Sequence, residues 1–184
     1  NRLNLFVQTV FGDPGSYDGG MVALAAALYT LQLYCDFSGT MDVACGMGRV
    51  FGVSLPENFR QPFFSRTASE FWQRWHITLG AWFRDYVFYP VSLSGPVKRL
   101  TSSARRALGN RVGPAAASGV ALLCVWLGNG LWHGAGTQYL LFGLYYFVLI
   151  WAGGLLAPAS EAVCARVGVA RDGALWHAFQ HVRT

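Results

Sequence analysis

Between Val112 and Ser160 there is not one Asp, Glu, Lys or Arg, and no other feature limits the fold so tightly. About 20 apolar residues cross the hydrocarbon core of a bilayer. The run is therefore long enough for two crossings, with a break expected near Gly128 to Gly136. A backbone surrounded by lipid must satisfy its own hydrogen bonds, which favours helices here. His133 is the one readily titratable side chain in the run. A histidine buried at such depth is costly and marks a functional site by default.

Composition agrees. Only 12% of the residues are charged, against 53% hydrophobic and 15% aromatic, about half the charge of an ordinary soluble domain. The expected class is all-α, a polytopic transmembrane helical protein with interfacial amphipathic helices. Lys and Arg outnumber Asp and Glu by 14 to 9, but the excess does not read as a nucleic-acid surface. Lys98, Arg99, Arg105, Arg106 and Arg111 fall together in residues 96–111 with no acid among them. Beside a hydrophobic span, this is the pattern of a basic cytoplasmic loop. Cys35, Cys45, Cys124 and Cys164 show neither C-x-x-C spacing nor a secreted disulfide framework, and read as packing residues or free thiols.

Residues 19–52 read as a transmembrane or cavity-lining helix that runs without a proline into Asp36, Asp42 and Arg49. Ser38, Asp42, Gly46 and Arg49 would share one of its faces, lining water or a neighbouring helix. Snorkelling charges at a helix end are the alternative. Thr67 and Glu70 have capping-box spacing, which places a helix start at Ala68. From there, residues 67–90 read as one amphipathic helix. Phe71, Trp72, Trp75, Leu79, Trp82, Phe83 and Tyr86 lie on one face, and Gln73, Arg74, Thr78, Arg84 and Asp85 on the other. Such a helix is expected to lie in the membrane interface. The hydrophobic spans fall in 114–157, and 158–184 is a polar tail. Three or four crossings are few for a self-sufficient membrane enzyme, and the first residue is Asn1. The sequence is therefore expected to be a piece of a longer polypeptide.

G-x-S-x-G, H-E-x-x-H, Walker and G-x-G-x-x-G motifs are all missing from the sequence, so those nucleophile, zinc and nucleotide chemistries have no motif behind them. The G-x-x-x-G spacings at Gly48–Gly52 and Gly130–Gly134 would let helices approach closely. Asn129 and His133 are four apart, so on a helix the amide could orient the imidazole. A neutral imidazole in a desolvated pocket suits general-base work on a hydroxyl, while a hydrogen-bonded structural histidine fits the same spacing. His76, at the edge of the aromatic face, reads on position alone as a packed amphipathic residue. His177 and His181 read as part of a solvated tail, since no third ligand accompanies them. No metal site is expected.

Five strings occur in order: Tyr34-Cys-Asp-Phe-Ser-Gly39, Leu55-Pro-Glu-Asn-Phe59, Glu70-Phe-Trp-Gln-Arg-Trp-His76, Arg84-Asp-Tyr86 and Gly130-Leu-Trp-His-Gly134. Together they resemble the membrane-bound O-acyltransferase family, in the bacterial branch of alginate O-acetyltransferases and lipoteichoic-acid D-alanylation proteins. The resemblance runs from about Leu31 to Leu149. It implies a multi-helix enzyme of the bacterial inner membrane with a central funnel, in which His133 is the essential histidine and His76 a second one in the chamber. Asn129, Trp132, Trp75, Asp36, Arg84 and Asp85 are the candidate substrate-contacting set. Asn129 and Trp132 would support the imidazole, while Asp36, Arg84, Asp85 and Asp42 would brace helices or line the tunnel.

The resemblance further implies no bound cofactor. An acyl thioester donor, acetyl-CoA or an acyl carrier protein, would act as substrate. The acceptor would be an extracytoplasmic polysaccharide, reached directly or through a partner acyltransferase protein, and membrane lipid would surround the chain. Acetyl transfer is the first expectation. D-alanyl transfer to teichoic acid and an inactive membrane scaffold or channel are the alternatives. Relatives often carry Trp near Thr137 and His near Tyr145-Tyr146, so the acceptor side departs from the family pattern.

Overall fold

The computed structural model describes residues 2–167, so His177 and His181 lie outside the described residues. Regular structure among them is helical, apart from one isolated antiparallel bridge between Phe59 and Trp75. The chain divides into two compact units, residues 1–58 and Phe59 onward.

In the first unit, α1 (Arg2–Gly12) folds back on α2 (Gly19–Val50). Val7, Val10 and Ala25 are buried between them, and Phe11 meets Tyr29 edge-on at 6.4 Å. Asp18 caps α2 by accepting from the Met21 N–H at 3.0 Å. With 32 residues, α2 is about 48 Å long, more than the roughly 30 Å hydrocarbon core. It ends because Gly52 turns left-handed at φ 75°. The Val53 N–H then donates to the Gly48 carbonyl (2.8 Å) and the Gly52 N–H to that of Arg49 (3.1 Å), a Schellman closure. Leu55 covers Gly48. The Gly48–Gly52 spacing therefore serves this helix end.

The second unit starts with the Phe59–Trp75 bridge, where the Arg60 N–H donates to the Arg74 carbonyl at 2.9 Å. α3 (Ala68–Arg74) begins at the expected capping box. The Glu70 N–H donates to Thr67 Oγ1 (3.1 Å), and Glu70 Oε2 accepts from the Arg66 N–H (2.8 Å). That backbone hydrogen bond, with Arg74 beside it, holds the Glu70 carboxyl below its usual range despite partial burial.

The single amphipathic helix expected over 67–90 is not found. It is cut at Trp75 and His76, and α4 (Ile77–Phe83), a π-helical turn (Arg84–Phe88) and α5 (Tyr89–Leu93) follow as separate short pieces. The physical cause lies outside the segment: pairing with Phe59 draws Trp75 into an extended conformation, which no helical periodicity can report.

Residues 96–111, expected as a loop, are helical, and belong to α6 (Gly95–His133). Pro96 in the first turn suits a helix start, and the helix formers that follow meet no breaker before Gly109. The loop reading mistook charge for coil. At Gly109 (φ 81°, ψ 176°) α6 bends sharply. A Cβ on Gly113 would lie 2.6 Å from the Ala104 backbone, a pair about 13.5 Å apart in a straight helix. Val112–His133 is then apolar and long enough to cross a membrane, as are Gly19–Val50 and Thr137–Ala157. α7 (Thr137–Val167) carries the helix into residues expected as polar tail.

α6 and α7 form an antiparallel hairpin. A Cβ on Gly130 would strike the Tyr139 carbonyl, and one on Gly143 the Trp126 carbonyl, so two backbones touch where neither has a side chain. Lower down, Trp151 lies over Gly119 and its indole N–H donates to the Ala115 carbonyl at 3.2 Å.

Candidate active site

His133 is the last residue of α6, and Gly134 (φ 154°, ψ 167°) closes the helix behind it. An L side chain is strained in that conformation, and a Cβ there would lie 2.6 Å from the Tyr139 ring. The closure fixes the imidazole among aromatic rings. Trp132 stands edge-on at 4.8 Å, Tyr139 lies nearly parallel at 6.2 Å, and Phe142 is edge-on at 5.6 Å. Behind them Trp72, Trp126, Phe142 and Tyr146 form one aromatic cluster that joins α3, α6 and α7.

His76 sits at the break between α3 and α4 with φ 48° and ψ 54°. A non-glycine residue in the left-handed region costs about 1–2 kcal/mol, and such strain concentrates at functional positions. The turn brings its ring to 5.7 Å from Trp132, so the two imidazoles flank one indole. Burial pushes the His76 pKa down, and the nearby His133 pushes it further.

The structure thus brings His76, Trp132 and His133 together. His133 itself is exposed, which corrects the expectation of a buried histidine: it is the terminal residue of α6, with no further helical turn to cover it. The buried polar group is Asn129, only 8% exposed. Its Oδ1 accepts no hydrogen bond among the described residues, nor does the buried Trp72 indole N–H donate one. The amide–imidazole hydrogen bond that the spacing allowed is therefore not formed.

Of the other candidates, Trp75, Arg84 and Asp85 belong to the second unit and Asp36 to the first. Trp75 packs with Phe59 (5.0 Å) and stacks on Phe71 (5.6 Å), where it secures the break beside His76. Arg84 and Asp85 pair with one another at 2.9 Å on the exposed π-helical turn. That pairing raises the arginine pKa and lowers the aspartate's. Asp36 is exposed on α2 in the first unit. No cluster of three or more metal-ligating side chains occurs among the described residues.

Sequence reasoning missed Tyr139 and Phe142, which touch His133. Their signal was present: Tyr139, Phe142 and Tyr146, spaced by three and four, share one face of α7.

The model of the membrane-bound O-acyltransferase family matches residues 17–104. A probable alginate O-acetylase from Pseudomonas syringae is 41% identical over 123 residues, covering 67% of this chain and 20% of the relative. A teichoic acid D-alanyltransferase from Bacillus subtilis is 36% identical over 122 residues, 66% of this chain and 28% of the relative. This chain belongs to the membrane-bound O-acyltransferase family. A peptidoglycan O-acetyltransferase from Helicobacter pylori is 35% identical over 122 residues, 66% of this chain and 20% of that relative. The chain spans between a fifth and somewhat over a quarter of the length of these relatives. The family is membrane-bound, in keeping with three helices apolar and long enough to cross.

Proposed function

We propose that this chain is the histidine-bearing part of an inner-membrane, multi-pass bacterial O-acyltransferase. It would transfer acetyl from a cytoplasmic thioester, acetyl-CoA or an acyl carrier protein, towards hydroxyls of an extracytoplasmic polysaccharide. The observation that carries the reading is the pair of imidazoles flanking Trp132, one held in a strained backbone conformation.

His133 acts as general base. It takes the proton of the attacking hydroxyl as the oxygen adds to the thioester carbonyl, then returns it to the departing sulfur as the C–S bond breaks. His76, kept neutral near pH 7 by burial, offers a second donor or acceptor to the reacting groups. Trp132 and Tyr139 pack against the His133 ring and hold its orientation. The unpartnered Trp72 indole N–H and Asn129 Oδ1 are polar atoms available in this aromatic surround. No prosthetic group is needed. The acyl group passes to the acceptor directly or through a partner acyltransferase protein, and both routes use the same base.

D-alanyl transfer to teichoic acid is the second reading, favoured by the Bacillus subtilis relative. The test is mass spectrometry of envelope-polymer esters in cells carrying the full-length protein with His133 or His133→Ala at matched expression. Loss of one ester is expected, and its mass distinguishes acetyl from D-alanyl. Survival of every ester would replace the catalytic reading with a membrane scaffold.

A further inference from the structure

The first segment of α6, residues 95–108, is amphipathic in a way the acyl-transfer chemistry does not use. At 100° per residue, Lys98, Arg99, Arg105 and Arg106 fall within an arc of about 120°, with Ser102 at its centre. All five side chains are exposed. Val97 on the opposite face is buried, and Thr101 and Ala104 beside it are partly covered. Leu100 and Leu108 on that side remain exposed, at 45% and 54%. From Tyr86 to Ser160 the sequence holds no carboxylate side chain, and the nearest preceding one, Asp85, is paired with Arg84. The anion that complements this arc therefore comes from outside the segment.

The bend at Gly109 says where to look. It folds the basic helix back against the first turn of the Val112–His133 span, with Ala104 against Gly113. The four cations are thereby held beside the end of a membrane crossing, where lipid phosphates are concentrated. A basic helix with aliphatic residues on its other side, next to a span, has the chemistry of a surface that binds anionic headgroups.

We propose that the basic face of residues 95–108 docks on the phosphate groups of anionic membrane lipids, through Lys98, Arg99, Arg105 and Arg106. The docking would anchor the Gly109 corner, and with it the start of the helix that carries His133. It stands on the membrane location and the charge pattern alone, whatever group the histidines transfer.

The test uses the full-length protein in nanodiscs of phosphatidylcholine, or of equal parts phosphatidylcholine and phosphatidylglycerol. Lipids retained on extraction are weighed by native mass spectrometry, and amide hydrogen exchange is followed over residues 95–108. Expected is an enrichment of phosphatidylglycerol of at least about tenfold, with slower exchange in the anionic discs. Both effects should vanish in Lys98→Gln/Arg99→Gln/Arg105→Gln/Arg106→Gln and persist in Lys98→Arg/Arg99→Lys/Arg105→Lys/Arg106→Lys. Should the neutral variant not fold, Ser102→Glu puts a single repelling charge at the centre of the arc and must weaken the enrichment. Equal retention of both lipids overturns the proposal. So does protection that appears in phosphatidylcholine discs only when soluble diphosphate or a polyanion is added.

Discussion

At the end of α2 the backbone turns left-handed at Gly52, and between α3 and α4 it does so at His76. The first turn is satisfied by two backbone hydrogen bonds and a leucine over Gly48. It ends a helix and asks nothing of a side chain. The second places a bulky residue where glycine would be at ease, and keeps it there by pairing the preceding tryptophan with Phe59. Where the chain only needs to stop, it uses glycine. Where it needs an imidazole aimed at Trp132, it accepts about 1–2 kcal/mol of backbone strain.

The sharpest way to break this comparison is His76→Gly. Relief of strain should leave thermal stability in detergent equal or higher, while ester formation falls on the order of a hundredfold, a typical loss for a proton-transfer group. Full activity in the glycine variant would show that the strain serves folding alone. Next in size is Gly143→Ala, which drives a methyl into the Trp126 carbonyl and should cost about 1–3 kcal/mol as overpacking, read as a lower unfolding temperature. Gly52→Ala should cost about 1–2 kcal/mol through its positive φ, with activity per folded molecule unchanged. A loss of activity there would mean the α2 terminus is more than a stop.

The smallest effect is in pH. Burial depresses the His76 pKa in the folded state, so the unfolded chain binds more protons near the ordinary histidine value of roughly 6.5. Stability contributed by neutral His76 is then present above that value, and is lost as pH falls through the lower folded pKa. Unfolding temperature should fall with acidification over that window, and the fall should shrink in His76→Gln. An identical pH profile in the variant would place the titration elsewhere.

The bend at Gly109 and the closure at Gly134 extend the lesson. Both are glycines with positive φ at which α6 turns or ends, and each was visible in the sequence as a glycine without its purpose. The Gly130–Gly134 pair read as a helix-packing motif, yet only Gly130 meets the backbone of another helix, while Gly134 terminates α6 beneath the Tyr139 ring. Spacing identifies glycines that matter, but only the partner strand of backbone tells whether the need is for space or for φ.

By itself the sequence determined the helices long and apolar enough to cross a membrane, the capping box at Thr67 and His133 as a residue worth asking about. Each rests on composition or on neighbours within one helical turn, and such local information is complete in the sequence. Tertiary structure decided the rest. It cut the amphipathic segment at His76 because Trp75 pairs with a residue 16 positions earlier. It brought Tyr139 and Phe142 onto His133 because two glycines let α6 and α7 touch. It left His133 exposed and Asn129 buried, because burial depends on which face meets another helix, and that is set by contacts far apart in the chain.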